Sequence, residues 1–335
     1  MIRRRFLSIV VAVLLAGCGG HAVQDAPPPA ALGPVATLRA VPNEFAIYGS
    51  MKTLEIAPIL VAARDHYEGE LTLQDGGIPN LIGAPSTAGP AVIATHAETQ
   101  ALRYSVTHPE LRIILTVTEA RYRIVARRSS GIARLADLKG KRIATLATTS
   151  AGYFLARMLG QVRLSFADIQ PVRISPIEDM AGALARGDVD AIAIWDPYST
   201  SAAKMLGSDA IEFPGDGVYR ERFNLNTTAA NLADPRQRTR IVAFVRAIIE
   251  ASEAIRRDPA PAQKQVLWGS SFGPEEVAAS WPNLSFPAAL PADLLDVLVD
   301  EERWLAMQDK RAPRSRARLA RLIDASVLDE ALGSR

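Results

Sequence analysis

Residues 142–198 read RIATLATTSAGYFLARMLGQVRLSFADIQPVRISPIEDMAGALARGDVDAIAIWDPY. Residues 142–147 form a short apolar run suited to a buried strand, and Thr148-Thr149-Ser150 follows with side chains that cap helices. Residues 151–160 then place Phe154, Leu155, Met158 and Leu159 at helical spacing. Residues 171–174 read as a second short strand. Ser175-Pro176-Ile177-Glu178 predicts a helix start, with serine at the cap, proline at the first helical position and glutamate three residues after the cap. Gly187 stops that helix, and residues 189–194 (VDAIAI) are a third apolar strand. The order β-α-β-α-β predicts an α/β fold with parallel strands and right-handed crossovers.

The flanks extend the pattern. Residues 44–48, 91–94 and 111–117 read as strands, with helices over 54–66, bent or delayed by Pro58, and over 97–106. Asp234-Pro235 opens a helix whose Ile241, Val245, Ile248 and Ile255 share one face, and Asp258-Pro259 ends it. A later helix is expected over about 293–310, and no internal repeat stands out.

In open α/β sheets, ligands sit outside the carboxyl ends of the strands. Four such ends follow from this reading. After residue 147 come Thr148, Thr149, Ser150 and Ala151 at a helix N-terminus, where hydroxyls and free N–H groups can hold an anion. After residue 194 come Trp195, Asp196 and Pro197, an indole and a carboxylate beside a rigid proline. The flanking ends carry Ser50, Met51 and Thr53, and then Thr95, His96 and Glu98. Each has a plainer reading: caps for the hydroxyls, core packing for Trp195, a first-turn carboxylate for Glu98 and a surface position for His96.

The ordered set Asp137-Leu138-Lys139-Gly140-Lys141-Arg142-Ile143-Ala144, the Thr/Ser-rich turn into a Tyr-Phe-Leu helix, Ala185-Arg186-Gly187-Asp188-Val189-Asp190-Ala191 and Trp195-Asp196-Pro197 resembles the substrate-binding proteins of nitrate/sulfonate/taurine-type ABC transporters, related to thiamine-precursor binders. The likeness spans about 44–257 and is strongest over 121–197. It implies a periplasmic-binding-protein-like fold of two α/β lobes with a hinge and an interlobe ligand cleft. One lobe would comprise residues 35–124 plus 218–335, the other 125–217. The family's anion loop maps onto Thr148 to Ala151, its first-lobe loops onto Ser50 to Thr53 and Thr95 to Thr99, and its Trp-x-Pro onto Trp195 and Pro197. The expected ligand is a small anionic or zwitterionic solute, with Asp196 or Glu98 pairing with an amino group and Trp195 packing on the carbon skeleton. An ABC permease would receive it, with the binding protein acting as a monomer and without a cofactor. Two departures stand out. Residues 74–90 hold four glycines and three prolines where the family has a helix, and the first loop lacks an aromatic stacking residue. The alternatives are a ligand-sensing lipoprotein docking on a receptor, or an enzyme on the same fold, such as a desulfinase or a pyrimidine-forming synthase.

The cysteine pattern argues against the enzymes. Both call for cysteine in the folded part, and the chain's single cysteine is Cys18. Arg3-Arg4-Arg5 precedes an apolar run over 6–16, too short for a span of roughly 20 residues and fit for a signal peptide over 1–17. Leu15-Ala16-Gly17-Cys18 resembles the lipobox of bacterial lipoproteins, so lipid on Cys18 is expected to hold the protein at the periplasmic side of a bacterial membrane. Residues 18–34, with three consecutive prolines, read as a flexible tether. The chain has 38 Lys and Arg against 36 Asp and Glu, and three of those arginines lie in the signal, so the remainder is near neutral. No basic block with interleaved aromatics supports nucleic-acid binding, and His21, His66, His96 and His108 lack metal-ligand spacing.

Overall fold

The structure, a computed structural model, describes residues 45–83, 91–268 and 270–333, all within one compact unit. The expected signal segment, Cys18 and the tether lie outside the described residues, as do residues 84–90. Among the described residues, strands β1 (Ala46–Gly49), β2 (Thr72–Asp75), β3 (Ala91–Ala97) and β4 (Leu111–Arg121) come first in the chain. Then follow β5 (Arg123–Arg127), β6 (Arg142–Thr145), β7 (Gln170–Val172), β8 (Ala191–Ile194) and β9 (Ala210–Pro214), and finally β10 (Arg220–Thr228) and β11 (Leu284–Ser285). They form two sheets, ordered β11-β4-β10-β3-β1-β2 and β7-β6-β8-β5-β9.

The segment over 142–198 builds the parallel part of the second sheet. β6 lies between β7 and β8, parallel to both, while β5 runs antiparallel to β8 and β9. β8 is buried at every position, as continuous apolar strands in covered parallel sheets are. In the first sheet, β1 is parallel to β2 and β3, and β10 is antiparallel to its neighbours β3 and β4. Strand alternation divides its side chains between two cores. Phe45 and Ile47 pack with Phe244, Val245 and Ile248 of the helix Pro235–Arg257. Ala46 and Tyr48 belong instead to a core continuous with the second sheet.

Several local outcomes differ from the sequence reading. Ser175 does not cap the helix after β7. Pro176 is extended, its peptide bond to Ser175 is cis, and a 3-10 turn at Ile177–Asp179 precedes the α-helix Met180–Arg186. Gly187, at φ +83°, ends that helix in the left-handed conformation glycine favours. Pro58 delays the α-helix rather than bending it. A 3-10 turn at Leu54–Ile56 leads into the α-helical turn Ala57–Val61, where proline's missing N–H belongs to a first turn anyway. The glycine-rich stretch after β2 keeps one short helix, Ile78–Ile82.

The chain passes between the sheets at two adjacent places. Tyr122 alone separates β4 from β5, and residues 215–219 separate β9 from β10. The Gly215 N–H donates to the Tyr122 carbonyl at 2.9 Å, tying the crossings together. A Cβ on Gly215 would lie 2.6 Å from the Phe154 ring and 2.9 Å from that carbonyl, so the approach requires glycine. Tyr122 and Tyr219 meet edge to face with centroids 5.5 Å apart, and Trp304 of the helix Leu294–Gln308 packs on Tyr153 at 5.4 Å.

Candidate functional site

The carboxyl ends of β1, β3, β6 and β8 converge on one cavity of about 120 Å³. The β1 end contributes Ser50, Thr53 and Glu55; the β3 end contributes His96, Ala97 and Gln100. Thr149 and Ser150 enter from the start of the helix Ser150–Gln161, Trp195 from the end of β8, and Glu221 and Phe223 from β10. Local chemistry sets each wall. The Thr149 hydroxyl caps its helix by accepting from the Ala151 N–H at 3.3 Å and donates to the Leu146 carbonyl at 2.8 Å. Gly152 lets this turn fold tightly, because a Cβ there would land on the Ala147 carbonyl.

Of the residues expected from sequence, Ser50, Thr53, His96, Thr149, Ser150 and Trp195 line this cavity. The others lie elsewhere. Met51 gives its backbone N–H to Asp75, Thr148 is exposed, and Thr95 and Ala151 are buried outside the lining. Glu98 is sealed in the interior, accepting from the Tyr219 hydroxyl at 2.7 Å and the Arg222 N–H at 2.8 Å. Asp196 is paired with Arg123 at 3.2 Å and also accepts from Ser199, Thr200 and Asn283. Neither carboxylate is free to meet a ligand's amino group.

Two carboxyls that the sequence reading passed over line the cavity instead. Glu55 and Glu221 are 2% and 4% exposed, and one oxygen of each, Oε2, is buried without a hydrogen-bond partner. Glu55 is pushed up to about 7, chiefly by burial, with Asp196 adding to the effect. Glu221 is raised well above the usual carboxylate range by burial and by the Glu55 and Glu98 charges. Its Oε1 accepts from the Ser150 hydroxyl at 3.3 Å, and that hydroxyl meets Tyr122 at 3.0 Å. The Trp195 Nε1 donor is likewise buried and unpartnered. His96 is depressed to about 4 by burial, and its Nδ1 accepts from the Ile78 N–H, so the ring is neutral and carries its proton on Nε2. No lysine or arginine is among the described residues of the lining.

The signal for Glu55 was present but ambiguous, since an acid in a first helical turn is ordinarily a dipole partner. Glu221 sits within Arg220-Glu221-Arg222, which reads as a solvated charge run. Among the described residues no group of His, Cys, Asp and Glu could hold a metal ion, and no helix is long and apolar enough to cross a membrane.

Comparison with known proteins gives a consistent family and fold. The profile of the family described as NMT1/THI5 like matches residues 70–262. A curated relative from Escherichia coli (strain K12), named for binding aliphatic sulfonates, is 39% identical over 107 residues. That match covers 32% of this chain and spans only 31% of the relative's length. The alkanesulfonate-binding protein SsuA from Xanthomonas axonopodis pv. citri, bound to MOPS, superposes with a TM-score of 0.66 at 21% identity, covering 84% of this chain and 97% of that one. The periplasmic aliphatic sulphonate binding protein SsuA from Escherichia coli gives 0.64 at 17%, covering 82% and 90%. The desulfurization enzyme DszB shares the fold at 0.58 and 15%, covering 87% and 99%.

Proposed function

We propose that this chain, which belongs to the NMT1/THI5-like family, is the solute-binding component of an ABC importer. It captures a small anionic or zwitterionic solute of the sulfonate, taurine or nitrate kind between two lobes and delivers it to a membrane permease. The carrying observation is the convergence of four strand ends from both sheets on one cavity, with Thr149 and Ser150 at a helix N-terminus and the Trp195 indole beside them. The sulfonate-binding names of the similar proteins support the solute class.

In this reading residues 35–124 with 218–335 form one lobe and 125–217 the other, and the crossings at Tyr122 and 215–219 are the hinge about which they close. Lipid on Cys18 and the tether over 18–34 keep the monomer beside its permease on the periplasmic face, raising its effective concentration there. The role is binding without chemistry, in keeping with a chain whose single cysteine is Cys18.

The test is a thermal-shift screen of residues 35–335 against sulfonates, nitrate, bicarbonate, amino acids and pyrimidines, since a ligand of the folded state raises the midpoint by mass action. At least one class is expected to raise it. Thr149→Ala and Trp195→Ala are each expected to weaken that ligand about tenfold, the loss of one hydrogen bond or packing contact. Unchanged affinity in both variants would overturn the site.

A further inference from the structure

Resting on that reading, we propose that Glu55 and Glu221 form a subsite for a cationic nitrogen, a primary ammonium or an amidinium, and that the solute must carry one. Both carboxyls line the cavity, both are almost fully buried, each has an oxygen that no N–H or O–H of the protein donates to, and the two carboxyls meet each other. The neighbouring arginines are committed elsewhere: Arg123 to Asp196 and Glu212, Arg222 to Glu119 and Asp293. A buried carboxylate without a counter-ion costs several kcal/mol and either takes a proton or awaits a cation. A bare anion would meet these two groups with no cation in the lining to offset them.

Other groups of the lining complete the specificity. The unpartnered Trp195 N–H and the N-terminal turn at Thr149 offer donors to an acceptor end of the solute, while Glu55 and Glu221 offer acceptors to its nitrogen. A cavity of about 120 Å³ is well below the roughly 300–1,000 Å³ of drug-sized ligand sites, which limits the solute to a small molecule. The arrangement orients a short zwitterion, nitrogen at the carboxyls and acceptor end at Trp195.

The surroundings of the pair set how it exchanges protons. Glu55 faces Thr53, Asp196 and Glu221; Glu221 faces Glu55, Glu98 and Glu301 as well as Tyr122, Tyr219 and Ser150. Asp196 is held by Arg123, His96 in the same lining is neutral, and the other titratable neighbours are acids or phenols, so the pair keeps at least one proton near neutral pH. An entering ammonium displaces that proton to the buffer, and affinity rises as pH rises towards the amine's own pKa.

The experiment is isothermal titration of residues 35–335 with taurine, ethylammonium, acetamidinium and ethanesulfonate, in phosphate and in Tris at pH 7. The nitrogen-bearing probes are expected to bind with heats that differ between the buffers by the ionisation heat of the released proton. Ethanesulfonate is expected to bind at least tenfold more weakly than taurine. Glu55→Gln and Glu221→Gln should each weaken taurine about 10- to 100-fold, as loss of a charged hydrogen bond does, and the double variant should abolish the buffer dependence. Thermal midpoints of both variants verify that they fold. Ethanesulfonate binding as tightly as taurine, or taurine binding without proton release, would overturn the subsite and leave solute capture standing. A flat response to these probes and to the wider panel would overturn solute capture itself, and the subsite with it.

Discussion

Glu301 and Glu302 are neighbours on one helix, both buried, and they have opposite surroundings. Glu302 accepts from Arg311 at 2.6 Å and from Arg314 at 2.8 Å, and these guanidiniums hold it down to about 2 despite its burial. Arg314 also bonds the Leu102 carbonyl and Ser105, so the pair fastens the C-terminal segment to the helix Glu98–Tyr104. Glu301 has no such partner. Burial and the nearby Glu98 raise it well above the usual range, and burial with neighbouring acids likewise raises Glu55 and Glu221 beside the cavity. One region therefore spends its buried charge on pairing and the other leaves it unpaired. Of the carboxyls without a cationic partner, Glu55 and Glu221 line the cavity and Glu301 does not, whereas the paired Glu302 joins two segments of the fold.

The widest test of this contrast is Glu302→Ala. It strands two guanidiniums and should cost about 3–5 kcal/mol in urea unfolding, the expected penalty for breaking a buried pair. Glu301→Gln removes an acid that has no cationic partner, keeps an oxygen for the Thr99 hydroxyl, and should leave stability unchanged or raised. Equal losses in the two variants would erase the distinction.

The two regions also respond to pH with opposite signs. Glu55 has a folded value of about 7 against 4.5 unfolded, so its contribution is fully present below 4.5 and is lost as pH rises through 7. That limb amounts to about 3 kcal/mol, and Glu55→Gln should flatten it in denaturant titrations between pH 5 and 8. Glu302 behaves conversely: its contribution is present above 4.5 and is lost as pH falls through about 2. The smallest expected effect lies at the helix entering the cleft. Thr149→Ala removes a cap and should cost about 1 kcal/mol in the same assay, with no change in either pH limb.

The scaffold was legible where local rules and burial agreed. The apolar runs at 142–147 and 189–194, with cap residues and Gly187 between, were enough to place three parallel strands. Asp234 caps its helix as its position suggested, accepting from the Arg236 and Gln237 N–H groups. The strand ends also named half of the cavity's walls, because topology alone sends them there. The cavity's electrostatics were not legible. Whether Asp196 or Glu55 meets solvent, ligand or arginine depends on Arg123, 73 residues from Asp196, and on β10, which joins the first sheet from far along the chain. Ser175 shows the same limit at short range, since a cap signature in sequence was set aside by the extended backbone at Pro176.

The bond from Gly215 to Tyr122 has a mechanical meaning. A single strand linking two bodies lets them bend, twist and swing independently. Two strands linked side by side behave as a ribbon, which flexes readily across its flat face and resists torsion and shear. In the two-lobe reading proposed above, lobe closure is then a rotation about a line running through Tyr122 and Gly215. Glu221 follows two residues after Tyr219, at the start of the strand that leaves the second crossing. Wall residues at a distance from the axis sweep a long arc in such a rotation, while a group on it scarcely moves and serves as the fixed point against which the others arrive.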